Sequence, residues 1–296
     1  TLGGFAGGGI NAVTRSGTNT FEGSAYFFNR NEKLAGKTPT DDPDVERTRL
    51  DPFSSKTYGF RLGGPIIKNK LFFFVNTEIQ RDEIPRPFIA SDYNGNSTDI
   101  LGDLEAIRNK LINDFGYDPG GFNDNPQTID GEKFLLKLDW NINEKHKLSA
   151  RHSYVKAETQ IQPTPNSNNV FFGNTGYIFP STTNSTAIEL KSNFSNTVSN
   201  NFILGRTKVL DDRDILGDPF PQVQLNDGPA TVIFGTDNFS FSNIVDQEVF
   251  TLTNNLNLYK GKHTITLGTH NELFTIKNLF TIFSTPRYLY FIDGIN

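Results

Sequence analysis

Gly7 to Arg30 reads GGGINAVTRSGTNTFEGSAYFFNR, and Leu62 to Phe74 reads LGGPIIKNKLFFF. In the first stretch three glycines lead into a short alternating strand, Ile10 to Arg15. A Ser-Gly-Thr-Asn turn follows, then an aromatic strand, Phe21 to Asn29. In the second, a strand runs into the tight polar turn Lys68-Asn69-Lys70 and leaves as another aromatic strand. Turn residues set between alternating or aromatic runs are the signature of antiparallel strands.

The same grammar continues downstream. In Lys133 to Asn143, Phe134, Leu136, Leu138, Trp140 and Ile142 point one way. Lys133, Lys137, Asp139, Asn141 and Asn143 point the other, with Leu135 the exception. This is the period of two that defines a strand with unlike faces. Phe250, Leu252, Leu256 and Leu258 form a second stripe, and Ile188, Leu190 and Phe194 a third. Candidate strands fall near 20–29, 56–66, 71–81, 133–142, 147–157, 187–195, 201–210, 248–259 and 263–276.

A soluble sandwich also alternates, with its apolar face inward. The connections separate the two cases. Long links at 30–55, 82–132, 158–186 and 211–247 interleave strictly with short ones at 67–70, 143–146, 196–200 and 260–262. All short turns then lie at one end of one sheet, the asymmetry of outer-membrane barrels. Strands of about ten residues suffice for a tilted crossing of the bilayer.

Composition agrees. Only 35% of the 296 residues are hydrophobic, yet phenylalanine occurs 27 times. That suits strands with one wet face, and disordered chains are poor in aromatics. No run approaches the roughly 18 apolar residues of a membrane helix. A net charge of −5 argues against a nucleic-acid binder. Cysteine is absent, which excludes disulfides and thiolate metal sites. Methionine is also absent and the start TLGGFAGGG carries no signal-peptide pattern, so a piece of a longer chain is expected.

Taken in order, Gly7 to Arg30 resembles the plug-to-barrel junction of TonB-dependent outer-membrane receptors, especially their Oar-like branch. Leu62 to Phe74 resembles the first periplasmic turn of the same barrels. The resemblance implies an all-β fold, a partial antiparallel transmembrane β-barrel of about nine strands out of roughly 22. It implies that 1–16 end the plug domain and 17–296 begin the barrel. Gly7, Gly8, Gly9, Asn11, Thr14 and Gly17 would form the junction. The implied function is import of a ligand that binds at extracellular loops and passes through a plugged barrel. Its implied partners are the missing plug and remaining barrel, the TonB-ExbB-ExbD complex, outer-membrane lipid and an extracellular ligand. A structural or adhesion barrel and a secreted β-rich binding domain are the alternatives. The TonB box, most of the plug and a closing terminal strand are not found in these residues.

Aromatic clusters at Tyr26 to Phe28, Phe72 to Phe74 and Tyr288 to Phe291 read as membrane-interface girdles, and Phe171-Phe172 as girdle or loop packing. Ile100, Leu104, Ile107 and Leu111 predict one amphipathic helix, starting near Asp99 and packed on its own loop.

Chemistry-bearing motifs are few. The glycine run lacks the Gly-Lys-Ser/Thr of a phosphate loop, and the four histidines lack metal spacing. No nucleophile elbow occurs, so catalysis is not expected. No cofactor is expected. Asp92, Asn94 and Asn96 alternate like a calcium loop with Asp103 twelfth, but the sixth-position Gly and the bidentate Glu are missing. The stretch reads as a polar turn, with Ca2+ in an extracellular loop kept as the alternative. Charges on the polar strand faces are the candidate lumen contacts for plug or ligand: Arg61, Lys137, Asp139, Arg151, Glu189, Lys191, Arg206, Lys208 and Glu272. Arg206 is at odds with its surroundings, because Phe202 and Leu204 share its face.

Overall fold

A computed structural model describes residues 13–281 and 287–292. Gly7, Gly8, Gly9 and Asn11 therefore lie outside the described residues. One antiparallel sheet dominates. Its strands are β1 (Glu22–Asn31), β2 (Ser54–Ile67), β3 (Leu71–Ile84), β4 (Gln127–Asn141), β5 (His146–Ile161), β7 (Tyr177–Ser195), β8 (Val198–Ile215), β11 (Asn243–Lys260) and β12 (His263–Phe280). They pair in that order as a nine-stranded meander. All nine candidate strands are present in sequence order. Val13 to Arg15, assigned to a short strand from sequence, has no regular structure.

The short turns are as tight as expected. Residues 68–70, 142–145, 196–197 and 261–262 connect their strands, and Asn69 takes the left-handed conformation at φ 62°. Asn tolerates that region better than most residues because its short side chain bonds locally. At the opposite end the strands run well past their apolar stripes. β4 starts at Gln127 rather than near 133, and β7 at Tyr177 rather than near 187.

The buried core is not in this sheet. Among the described residues, Phe74 is the one apolar side chain of the large sheet that is buried. The core instead joins the long links. It contains Phe88, Leu104, Leu111 and Phe122 from the link after β3, Val170 and Phe172 from the link after β5, and Val223, Val232 and Phe234 from the link after β8.

Those links hold the helix expected from sequence, α1 (Ile100–Phe115), and three strands that were not, β6 (Asn169–Phe171), β9 (Gln222–Asp227) and β10 (Ala230–Phe234). With β13 (Arg287–Ile292) the three strands form a second sheet, ordered β13-β9-β10-β6. Asp99 caps α1 by accepting from Gly102 N–H at 3.2 Å, and Gly116 closes it at φ 66°. A carboxylate N-cap and a left-handed glycine C-cap are the standard helix ends.

Two expectations are corrected here. The helix packs on elements of all three links rather than its own loop alone, because its apolar stripe needs more cover than one loop supplies. Of the two readings left open for Phe171-Phe172, loop packing holds for Phe172, which is fully buried in the loop core with Phe122 and Phe234 edge to face against it at 5.5 and 6.1 Å. Tyr288, Tyr290 and Phe291 pair in parallel with β9, so they belong to the loop sheet and not to a membrane girdle.

The loop core should melt as a unit separate from the strands below it. Leu104→Ala removes a side chain with no solvent exposure and should cost about 2–5 kcal/mol. Limited proteolysis of the full-length protein in membranes should then cut within 84–127 faster, with the heat-modifiability of the barrel retained.

Candidate lumen face and plug junction

Successive side chains of a strand point to opposite faces, and residues paired across strands share a face. The register therefore sorts every candidate charge. Lys137 pairs with Arg151, and the row continues through Ala187, Gly205 and Thr251 to Glu272. Asp139 leads through Ser149 to Glu189. Asn141 leads through Lys147 to Lys191. Arg61 has the same phase, since Asn76 and Leu135 connect it to β4. Seven of the nine predicted residues thus share one face.

The charges on that face are locally paired. Lys137 lies 3.6 Å from Asp139, and Lys191 3.2 Å from Glu189. Together with Ser16, Lys147 and Ser149 they line a cleft of about 260 Å³ near the short-turn end. Arg61 donates from Nε to Ser24 Oγ at 2.7 Å, and Glu272 meets His270 at 3.0 Å on the edge strand. These two are on the face but apart from the cleft. Lys147 belongs to the cleft and was not singled out from sequence, although its alternation with Arg151 carried the signal.

Higher on the same face, Tyr26 lies across Gly59 and donates to Glu78 Oε2 at 2.6 Å. Glu78 in turn holds Lys133 at 2.7 Å. A Cβ at Gly59 would fall inside the Tyr26 ring, so glycine here is a packing requirement.

The opposite face is the apolar one. Leu138, Ile188, Leu204 and Leu252 lie in one row, which crosses β5 at Ala150. All four are exposed, at 36 to 41%. No described element covers them, which is the surface a hydrocarbon phase covers. Phe27 stacks on Tyr58 at 4.9 Å, and Phe134 lies opposite Tyr154. These rings top the band, as an interfacial girdle does.

Arg206 and Lys208 stand on this apolar face, not in the lumen. Arg206 pairs in register with Phe250 and lies over its ring at 5.7 Å from the centroid. Their charges are met by β11 carboxylates: Arg206 by Glu248, and Lys208 by Asp246 at 3.4 Å. Arg206 is eight residues beyond Val198 at the short turn, about 26 Å along a strand at ~3.3 Å per residue. A tilted crossing takes about 9–11 residues, so Arg206 stands near the far edge of the apolar band, where a lipid-face charge costs less than at the midplane.

The two stretches that open the sequence argument meet in space. Asn19 and Asn69 exchange hydrogen bonds: Asn19 Nδ2 donates to Asn69 Oδ1 at 2.6 Å, and the Asn69 N–H donates to Asn19 Oδ1 at 2.7 Å. Gly17 packs so closely on the strand pair below that a Cβ would strike the carbonyl oxygens of Phe73 and Gly64. Phe21 covers Gly64 and contacts Phe73 at 6.2 Å between centroids. Lys137 Nζ donates to Ser16 Oγ at 2.8 Å. Thr14 lies just ahead of this clasp, in a segment without regular structure. The chain before β1 is thus strapped to the polar face of the sheet.

Gly17→Ala should lower the heat-modifiability midpoint of the full-length protein more than Asn19→Ala, which removes two exposed bonds worth about 0.5–1.5 kcal/mol each. A neutral Gly17→Ala would contradict the close approach.

Comparison with known proteins follows the same outline. Among curated proteins none matches in sequence. The outer membrane transporter YddB from Escherichia coli superposes with a TM-score of 0.58 at 9% identity, over 94% of this chain and 34% of that one. The siderophore receptor PirA from Acinetobacter baumannii aligns at a TM-score of 0.49 and 12% identity, over 87% of this chain and 30% of that one. The chain spans about a third of the length of these two structures. A family described as "Outer membrane beta barrel domain" matches residues 13–115 and 109–287. The chain belongs to that outer-membrane β-barrel family, and its place is the outer membrane of a Gram-negative bacterium.

Proposed function

We propose that the chain is part of a TonB-dependent transporter wall, with 1–16 ending a plug and 17–296 beginning the barrel around it. The observation that carries this reading is the clasp. A chain segment arriving ahead of β1 is fixed on the polar face by Ser16, Gly17 and Asn19, where a plug would leave the lumen. The paired charges of the adjacent cleft then face the plug or a ligand in passage.

Among the described residues β1 and β12 each pair on one side only. Backbone groups left unpaired in lipid cost several kcal/mol each, so the remaining barrel of the same protein is the expected partner of both edges. Ligand would first meet the folded links and then descend past Tyr26, Glu78 and Lys133 on the lumen wall. TonB, acting with ExbB and ExbD, would supply the energy.

The links carry their own core, and this favours a second reading, a barrel that displays a rigid surface to extracellular partners. Deletion of the segment upstream of Val13 in the full-length protein distinguishes the two. A plugged importer should become leaky, and cells should become sensitive to a large antibiotic that the outer membrane normally excludes. The full-length protein should also capture TonB, and lose that capture when its TonB box is removed. Unchanged antibiotic resistance together with no TonB capture would leave the display reading in place.

A further inference from the structure

Asp227 ends β9 beside the turn to β10 and has no solvent exposure. One carboxylate oxygen, Oδ2, accepts from the Tyr93 hydroxyl at 2.9 Å and from the Ser97 N–H at 3.0 Å. The other, Oδ1, is buried without a hydrogen-bond partner. Among the described residues no Lys or Arg pairs with Asp227. A buried anion that lacks a counter-charge is one of the most costly arrangements in a protein interior.

The surroundings are rich in oxygen and short of positive charge. Segment 92–97, from the link after β3, wraps the carboxylate, and Gly95 is so close that a Cβ there would strike Oδ2. Asn96 is exposed and lays its amide against Gly228, the residue after Asp227. A second carboxylate, Asp103, accepts from Ser97 Oγ at 2.5 Å and has no cationic partner among the described residues. Burial first, then Asp227, holds the Tyr93 hydroxyl above the usual phenol range, so it stays a neutral donor.

We propose that Asp227 Oδ1 and the neutral oxygens of segment 93–97 hold a calcium ion that locks this segment to the β9–β10 hairpin. The ligand set differs from the calcium-loop spacing of Asp92, Asn94, Asn96 and Asp103 in the sequence. The anchoring carboxylate comes from 124 residues beyond Asp103 in the chain, not from a twelfth position. No three acidic or histidine side chains converge among the described residues, so the site is built largely from uncharged oxygens. Few charged ligands give weak affinity, with Kd of about 10⁻⁴–10⁻³ M, the range of extracellular calcium modules. That range suits a loop outside the cell.

Terbium, a calcium substitute that emits when a nearby tyrosine is excited, is the direct probe. Full-length protein in detergent should show terbium emission that calcium displaces, and calcium should slow proteolysis within 84–127. Asp227→Asn should abolish both effects. Because that variant risks unfolding the loop core, Asn96→Ala at an exposed position serves as the second test. It should weaken calcium binding several-fold and leave the calcium-free digestion pattern unchanged. Tyr93→Phe should dim the emission while calcium protection persists. Absence of calcium-displaceable emission from the native protein, or calcium protection retained in a folded Asp227→Asn, would overturn the proposal.

Discussion

A strand inside hydrocarbon must place every backbone N–H and C=O on a neighbouring strand, because lipid offers no replacement. That constraint organises this chain. It demands an unbroken meander, and the nine-stranded order without crossovers supplies one. It also frees the side chains from building a core in the large sheet. One face meets lipid with rows such as Leu138, Ile188, Leu204 and Leu252, and the other meets water with Lys137, Asp139, Glu189 and Lys191. The hydrophobic effect that would bury a sandwich core acts here between protein and bilayer.

Outside the membrane the ordinary rules return. The links regain a buried core, and it is built from Phe172, Leu104, Val170 and Val232 with essentially no exposure. The molecule therefore has two kinds of stability. The wall is held by strand pairing, and the surface cap by apolar packing between links far apart in sequence. The clasp of Asn19 on Asn69 adds a third element at the other end, fixing the entry of the chain to the first short turn.

The sequence reveals these layers unequally. Strand number, order and turn positions were legible, because period-two alternation and turn residues are local signals. The upper halves of the strands were not. Ser181 to Thr186 in β7 is polar at every position, since water wets both faces beyond the bilayer and no alternation is imposed. The loop core was hidden for a different reason: Phe88, Phe172 and Phe234 come from three links, and nothing local announces that they meet. Arg206 and Lys208 were assigned inward on the cost of charge in lipid. Their own alternation with Phe202 and Leu204 was the better guide, and distance from the turn supplies the missing term. In the site, Ser16 and Lys147 were passed over because neither carries chemistry alone; the clasp ahead of β1 brings Ser16 to Lys137, and register brings Lys147 to Lys191.

The central claim is the two-faced wall, and these residues contain no cysteine, so single cysteines can be placed cleanly along β4. In the full-length protein in membranes, spin labels at 136, 138 and 140 should be relaxed by oxygen dissolved in lipid. Labels at 137 and 139 should respond to a water-soluble relaxation agent. Accessibility that alternates with a period of two in this phase is the predicted result. Uniform accessibility, or the inverse phase with Lys137 and Asp139 in lipid, would contradict the account.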